Sequence, residues 1–120
     1  MKMALVGVAG AVGAMSRYGI GITIGTRSFP WATLSINLAG SFLLGLLVAT
    51  GSARDWDSMA TVPLTVGFVG GFTTFSTFCY EAFDLLRTDR PGAAAAYITI
   101  STIGGTAAAA LGYLTGRRFA

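Results

Sequence analysis

The stretch Gly67-Phe-Val-Gly-Gly-Phe-Thr-Thr-Phe-Ser-Thr-Phe78 lies in the middle of an apolar run over about residues 63–83. Paired glycines followed by paired β-branched threonines make a poor helix centre. The sequence therefore predicts a break, with one half-helix ending near Gly70-Gly71 and a second beginning near Thr73 or Thr74. A break frees backbone carbonyls before it and N–H groups after it. In a bilayer such groups are tolerated only inside protein or beside a wet cavity.

Phenylalanine and hydroxyl side chains crowd this break, and broken helices at membrane depth commonly carry ion and substrate sites. The crowded residues are Phe68, Phe72, Phe75, Phe78, Thr73, Thr74, Ser76 and Thr77. The alternative is simple helix packing, because glycine, serine and threonine let helices approach closely. Small residues do not, however, account for the density of phenylalanine here.

The composition places the chain among membrane proteins, since 53% of its 120 residues are hydrophobic and only 11% are charged. Four apolar runs have the length of a membrane-spanning helix: about 3–25, 32–51, 61–86 and 92–115. We therefore predict an all-α protein with one four-helix transmembrane domain over residues 1–120 and helix 3 broken near its middle. The loops are too short for a soluble catalytic domain. The basic residues are too scattered for a nucleic-acid site.

Polar residues within the predicted spans are the first candidates for function. Arg17 continues a face of small residues on helix 1, where it either bonds helix ends or attracts an ion. Asn37 on helix 2 either makes an interhelical hydrogen bond or lines a polar path as a neutral donor. Glu81 is either at a solvated helix end or a partly buried acid. Tyr97 is either an aromatic-belt residue or a hydroxyl on the packed face of helix 4.

The loop charges give almost no signal for orientation. If the N-terminus faces the cytoplasm, four basic residues lie inside (Lys2, Arg54, Arg117 and Arg118) and three lie outside (Arg27, Arg87 and Arg90). The positive-inside rule needs a larger bias. We therefore expect insertion in both orientations and an antiparallel, dual-topology homodimer, in which carbonyls freed at residues 70–73 of both chains meet and coordinate a cation.

Neutral hydrogen-bond donors dominate the predicted path. They are Asn37, Ser41, Ser76, Thr77 and Tyr97. A phenyl ring has a positive edge, so Phe75 and Phe78 turned edge-on would hold an anion. Neutral donors replace hydration without trapping an ion, as conduction requires. These arguments indicate a small ion but leave its identity and its sign open.

Three segments resemble the Fluc/CrcB family of fluoride channels. They are Gly10-Ala-Val-Gly-Ala-Met-Ser-Arg-Tyr18, Trp31-Ala-Thr-Leu-Ser-Ile-Asn-Leu-Ala-Gly-Ser-Phe42 with Gly45, and residues 67–78 with Glu81. The resemblance covers essentially the whole chain, and the third segment is the specific one. It implies a fluoride channel in the plasma membrane of a prokaryote, where passive export of fluoride confers resistance.

The resemblance also implies an antiparallel homodimer with two fluoride pathways and a central structural sodium ion. The sodium would be held by backbone carbonyls at positions that match Gly70 and Thr73. Phe75 and Phe78 would form the family's phenylalanine box, Asn37 would be its pore asparagine, and Tyr97 its helix-4 tyrosine. Ser76 and Thr77 would belong to its polar track. Arg17 and Glu81 match family positions whose roles stay open.

Three other classes compete with a channel. A proton-coupled multidrug transporter needs a carboxylate at membrane depth, but helices 1, 2 and 4 contain no Asp or Glu. An intramembrane enzyme needs a nucleophile with a base or a metal cluster, and the chain has no histidine and a single cysteine. A non-transporting assembly subunit would not need the polar, broken third helix.

Overall fold

The computed structural model describes residues 1–119 as an all-helical chain with four helices long and apolar enough to cross a membrane. Helix α1 is Lys2–Ile24 and α2 is Trp31–Ala53. The third span, Ser58–Arg87, comprises α3 (residues 58–72) and α4 (Phe75–Arg87), and the fourth, Pro91–Arg118, is α5. A helix of 23 residues is about 35 Å long, enough for a hydrocarbon core of about 30 Å. The prediction of four apolar spanning helices is confirmed.

The ends of the spans follow local capping chemistry. Gly25, with a φ of 71°, terminates α1. The Asp57 carboxylate caps α3 by accepting the N–H of Met59 at 2.9 Å, so this span begins at Ser58 rather than near residue 61. The bonds from the Met59 N–H and then the Ser58 hydroxyl hold the pKa of Asp57 below its usual value.

The helices pack in two close pairs, α1 with α3 and α2 with α5. Gly13 of α1 lies against the backbone of Phe68, and Gly45 of α2 lies against the backbone of Ala109. A β-carbon at either glycine would overlap a main-chain carbonyl, so both positions require glycine for the observed approach. The small-residue face predicted for helix 1 is therefore used for packing against α3.

Two stretches have π-helical rather than α-helical hydrogen bonding. They are Pro63–Val69 within α3 and Ile100–Gly104 within α5. A π-helical turn holds an extra residue and rotates the side chains that follow. The stretch in α3 directly precedes the paired glycines Gly70 and Gly71.

A small apolar core joins α2, α4 and α5. Its buried members are Leu34, Phe78, Ala82, Leu85, Ala94 and Tyr97. By contrast, α1 has one buried residue, Gly13, and exposes large apolar side chains such as Val8, Met15 and Tyr18. An apolar surface of this kind suits lipid or a second chain.

Candidate functional site

Thr73 and Thr74 separate α3 from α4 and have extended backbone geometry. Their φ, ψ angles are −81°, 161° and −150°, 119°. We call these two residues the linker. It lies near the middle of the 30-residue third span, with α3 ending at Phe72 and α4 beginning at Phe75. The Thr74 hydroxyl caps α4 by accepting the Thr77 N–H at 3.3 Å.

Asn37 is bonded to both backbone polar groups of Thr74. Its Nδ2 donates to the Thr74 carbonyl at 3.0 Å, and its Oδ1 accepts the Thr74 N–H at 2.9 Å. In a continuous helix that N–H would donate to the Gly70 carbonyl. The Asn37 side chain therefore takes the place of the Gly70 carbonyl as acceptor and holds the linker extended. One N–H of the Asn37 amide is left for another acceptor.

Arg17 contacts the same region from α1. Its Nε donates to the Gly71 carbonyl at 3.2 Å. In a continuous helix the Gly71 carbonyl would accept the N–H of Phe75 instead. The guanidinium therefore satisfies one of the carbonyls at the end of α3, as in the first of the two roles considered for Arg17.

The carbonyls of Gly70 and Thr73, the predicted sodium ligands, both lose their helical donors. The Thr74 N–H goes to Asn37, and the Thr77 N–H goes to the Thr74 hydroxyl. Within residues 1–119 no three His, Cys, Asp or Glu side chains form a group that could hold a metal ion. Backbone oxygens of this type do suit a hard cation such as sodium.

The two phenylalanines of the predicted box are adjacent but differ in their surroundings. The ring centroids of Phe75 and Phe78 are 5.9 Å apart. Phe78 is buried and packs edge-on against Tyr97 at 5.1 Å, whereas the Phe75 side chain is 76% exposed. A single chain therefore encloses one of the two rings only.

Glu81 is held by hydroxyl groups from two other helices. Thr33 of α2 donates to its Oε1 at 2.9 Å, and Tyr97 of α5 donates to its Oε2 at 2.7 Å. Tyr97 is completely buried. The hydroxyl of Tyr97, predicted to line the path, is thus already bonded to a carboxylate. Of the two interpretations of Glu81, this geometry is that of a partly buried acid.

Thr33 was not singled out by sequence reasoning, although it is buried and bonded to Glu81. The available signal was its position one turn before Asn37 on the same face of α2. Ser101 was also not singled out as a site residue. Its hydroxyl oxygen is buried and has no hydrogen-bond partner within residues 1–119.

Several of the predicted residues line two cavities that reach the linker. A cavity of about 200 Å³ is lined by Asn37, Ser41, Thr73, Thr74 and Phe75, among others. A larger cavity of about 640 Å³ is lined by Arg17, Thr33, Thr74, Thr77 and Glu81, among others. Thr74 lines both cavities, and Ser76 is exposed. The structure thus places polar side chains near the linker in two separate cavities.

Comparison with known proteins gives a consistent match. The family model described as CrcB-like protein, Camphor Resistance (CrcB), matches residues 4–113. Fluoride-specific ion channel FluC 1 of Symbiobacterium thermophilum is 43% identical over 121 residues, covering 97% of this chain and 98% of that protein. Fluoride-specific ion channel FluC 2 of Geobacillus kaustophilus is 42% identical over 112 residues, covering 90% and 87%. Fluoride-specific ion channel FluC of Bordetella avium is 38% identical over 111 residues, covering 92% and 88%.

Proposed function

The chain belongs to the CrcB family, a family of channels rather than enzymes, and on that premise we propose that it conducts fluoride passively across the membrane. The relatives at about 40% identity that are named fluoride-specific ion channels support the choice of ion. The chain is a multi-pass membrane protein. The plasma membrane of a prokaryote is its proposed location, where it exports fluoride from the cell.

The observation that carries this proposal is the extended linker at Thr73 and Thr74 in the middle of the third span. An interruption at membrane depth persists only where protein or a wet cavity supports its polar backbone. Here Asn37 and Arg17 supply that support, and two cavities with some polar side chains in their lining reach the linker. We interpret the linker as the break in the third transmembrane helix and as the organising point of the ion pathway.

The pathway residues we propose are Asn37, Ser41, Ser76, Thr77 and Tyr97, together with Phe75 and Phe78. Asn37 offers its remaining N–H, and Thr77 offers its hydroxyl hydrogen, because its oxygen accepts from Thr74. The Tyr97 hydroxyl is bonded to Glu81, so it reaches an ion only by exchanging that bond. Neutral donors and positive ring edges stabilise a small anion without a deep trap.

We propose that two chains assemble as an antiparallel, dual-topology homodimer with two pathways. Phe75 is 76% exposed in one chain, and an aromatic ring lining a pathway needs a second surface around it. The exposed apolar side chains of α1 offer area for a partner or for lipid. The near balance of four and three basic residues between the two ends permits both orientations.

A structural sodium ion at the centre of this dimer is the remaining part of the proposal. Each chain would contribute the carbonyls of Gly70 and Thr73, which lose their helical donors to Asn37 and Thr74. Two carbonyls are too few to replace the hydration of a cation, so the site requires both chains. The ion would compensate carbonyls that have lost their helical donors at membrane depth.

Growth of a bacterium that lacks its own fluoride exporter tests the function in a cell. Expression of this protein should restore growth in medium containing fluoride, and the Asn37→Asp variant should not. Equal sensitivity with and without the folded, membrane-inserted protein would overturn fluoride export.

A further inference from the structure

We propose that Arg17 is a positioning residue that selects which carbonyls at the end of α3 remain free to bind a cation. It occupies the carbonyl of Gly71, which lies between the two proposed ligands, the carbonyls of Gly70 and Thr73. This inference rests on the proposed sodium site. It holds that a side chain of α1 fixes the spacing of the carbonyls that form this site. Arg17 need not touch the ion itself.

Close packing of α1 on α3 places Arg17 beside the end of α3. One turn earlier, Gly13 lies against the backbone of Phe68, and Gly71 lies against the backbone of Gly10. These contacts press α1 onto the last turns of α3. This packing brings the Nε of Arg17 within 3.2 Å of the Gly71 carbonyl oxygen, although the two residues are 54 positions apart in the sequence.

The partner of Arg17 is unusual for a charge inside an apolar span. A guanidinium within a membrane span ordinarily requires a counter-charge or strong hydrogen bonds, and Arg17 is half-buried. The hydrogen bond that Arg17 makes within residues 1–119 is to a neutral carbonyl. Within residues 1–119 the ion pair is that of Arg87 with Asp84, near the C-terminal end of α4, and it does not involve Arg17. Arg17 is thus directed at the backbone of the linker region.

Occupying the Gly71 carbonyl has a specific consequence for the cation. Without Arg17, the Gly71 carbonyl would lack a donor in addition to those of Gly70 and Thr73, and the last turn of α3 could unwind further. With Arg17 in place, the turn at Gly71 is fixed. The carbonyl of Gly70 on one side and that of Thr73 on the other keep one spacing, which a coordination site requires.

The competing role for Arg17 is electrostatic attraction of the anion, because Arg17 also lines the larger cavity. The two roles differ in their response to lysine. Lysine keeps the positive charge, but its ammonium lacks the fixed, planar donor geometry of a guanidinium. An electrostatic role therefore survives Arg17→Lys, whereas a positioning role does not.

The test measures fluoride efflux from liposomes as sodium replaces a large organic cation, for wild type, Arg17→Lys and Arg17→Gln. Arg27→Lys is the matched control. The Nε of Arg27 also donates to a carbonyl at 3.2 Å, but that carbonyl belongs to Ile24 at the exposed end of α1. We expect both Arg17 variants to need about tenfold more sodium for half-maximal efflux, the effect of losing one charged hydrogen bond. Arg27→Lys should match wild type.

Each other result overturns the inference in a distinguishable way. If Arg17→Lys has the sodium dependence of wild type, Arg17 acts through its charge or not at all. If wild type conducts fluoride with no sodium dependence, the cation site and this inference both fail while the channel stands. If Arg17→Gln does not fold, the rate of amide hydrogen exchange of residues 68–76 in Arg17→Lys tests the positioning role instead. Faster exchange than in Arg27→Lys supports positioning, and equal exchange refutes it.

Discussion

Asn37 and Thr74 are joined by two hydrogen bonds, of 3.0 and 2.9 Å, in which one side-chain amide satisfies both the carbonyl and the N–H of one peptide residue. The bonds link the N-terminal third of α2 to the middle of the third span. Asn37, predicted as a pathway donor, therefore also holds the linker extended. The effects of changing Asn37 therefore include a stability component as well as a conduction component.

Asn37→Asp should reduce fluoride efflux at least tenfold and lower the melting temperature. An ionised aspartate keeps the acceptor for the Thr74 N–H but has no donor for its carbonyl. The lost bond costs about 1–3 kcal/mol, and the new charge repels an anion. Efflux from liposomes and thermal unfolding in detergent measure the two effects. Ser35→Ala, on an exposed part of α2 two residues earlier, is the control. Unchanged efflux would remove Asn37 from the pathway.

Phe75→Ile and Phe78→Ile should both cut fluoride efflux while the dimer still forms. Only Phe78→Ile should destabilise the isolated chain appreciably, by about 1–3 kcal/mol, because Phe78 is in the core and Phe75 is exposed. Phe83→Ile, at a side chain that is 56% exposed on the same helix, should leave efflux unchanged. Normal efflux in both box variants would refute the edge-on role of the rings.

Tyr97→Phe should destabilise the protein by about 1–3 kcal/mol, because one oxygen of the Glu81 carboxylate loses its hydroxyl donor. Thr33→Val should do the same at the other oxygen. Because both hydroxyls act on one carboxylate, the double variant should depart from additivity. Thermal unfolding measures all three. Tyr113→Phe, a partly exposed tyrosine on the same helix, is the control, and an equal melting temperature for Tyr97→Phe and Tyr113→Phe would contradict this arrangement.

Gly70→Ala and Gly71→Ala should differ in kind. A β-carbon at Gly71 would overlap the backbone of Gly10, so Gly71→Ala should disturb the packing of α1 on α3. A β-carbon at Gly70 meets no atom of residues 1–119 within 4 Å. Gly70→Ala should therefore fold but weaken the dimer and its sodium dependence, since the proposed partner lies there. Dimer fraction by size-exclusion chromatography with light scattering checks this. A normal dimer with normal sodium dependence in Gly70→Ala would speak against the central site.

Dual topology predicts that one loop position is labelled from both sides of the membrane. With Cys79→Ser as background, Asp89→Cys in the loop before α5 should react with an impermeant maleimide to about half from each side. Labelling from one side only would exclude the antiparallel arrangement. A cysteine placed in a membrane protein of single known orientation provides the control.

The four spans could be predicted from the sequence because length and apolarity decide them. Their ends shifted by a few residues, as at Ser58, where the cap at Asp57 sets the start. The π-helical stretches Pro63–Val69 and Ile100–Gly104 were not predicted. Hydrogen-bond register within a helix depends on the packing of its neighbours, which carries no local sequence signal.

The polar candidates could be named from the sequence, but their partners could not. Arg17, Asn37 and Glu81 stood out because polar groups in apolar spans are costly. Their partners depend on which helices are in contact. Arg17 bonds Gly71, Asn37 bonds Thr74, and Glu81 accepts from two hydroxyls. Thr33 was missed for a related reason. Threonines in helices usually bond their own preceding turn, as Thr50 does, and nothing local distinguishes one that bonds a carboxylate on another helix.

The central claim is a selective fluoride pathway, and anion efflux from liposomes tests it most directly. The purified protein is reconstituted, and loss of fluoride and of chloride is followed under matched gradients, with empty liposomes and Asn37→Asp as controls. The account predicts rapid loss of fluoride from liposomes containing the wild-type protein and retention of chloride. Retention of both anions by liposomes with folded dimer, or equal loss of both, would contradict it.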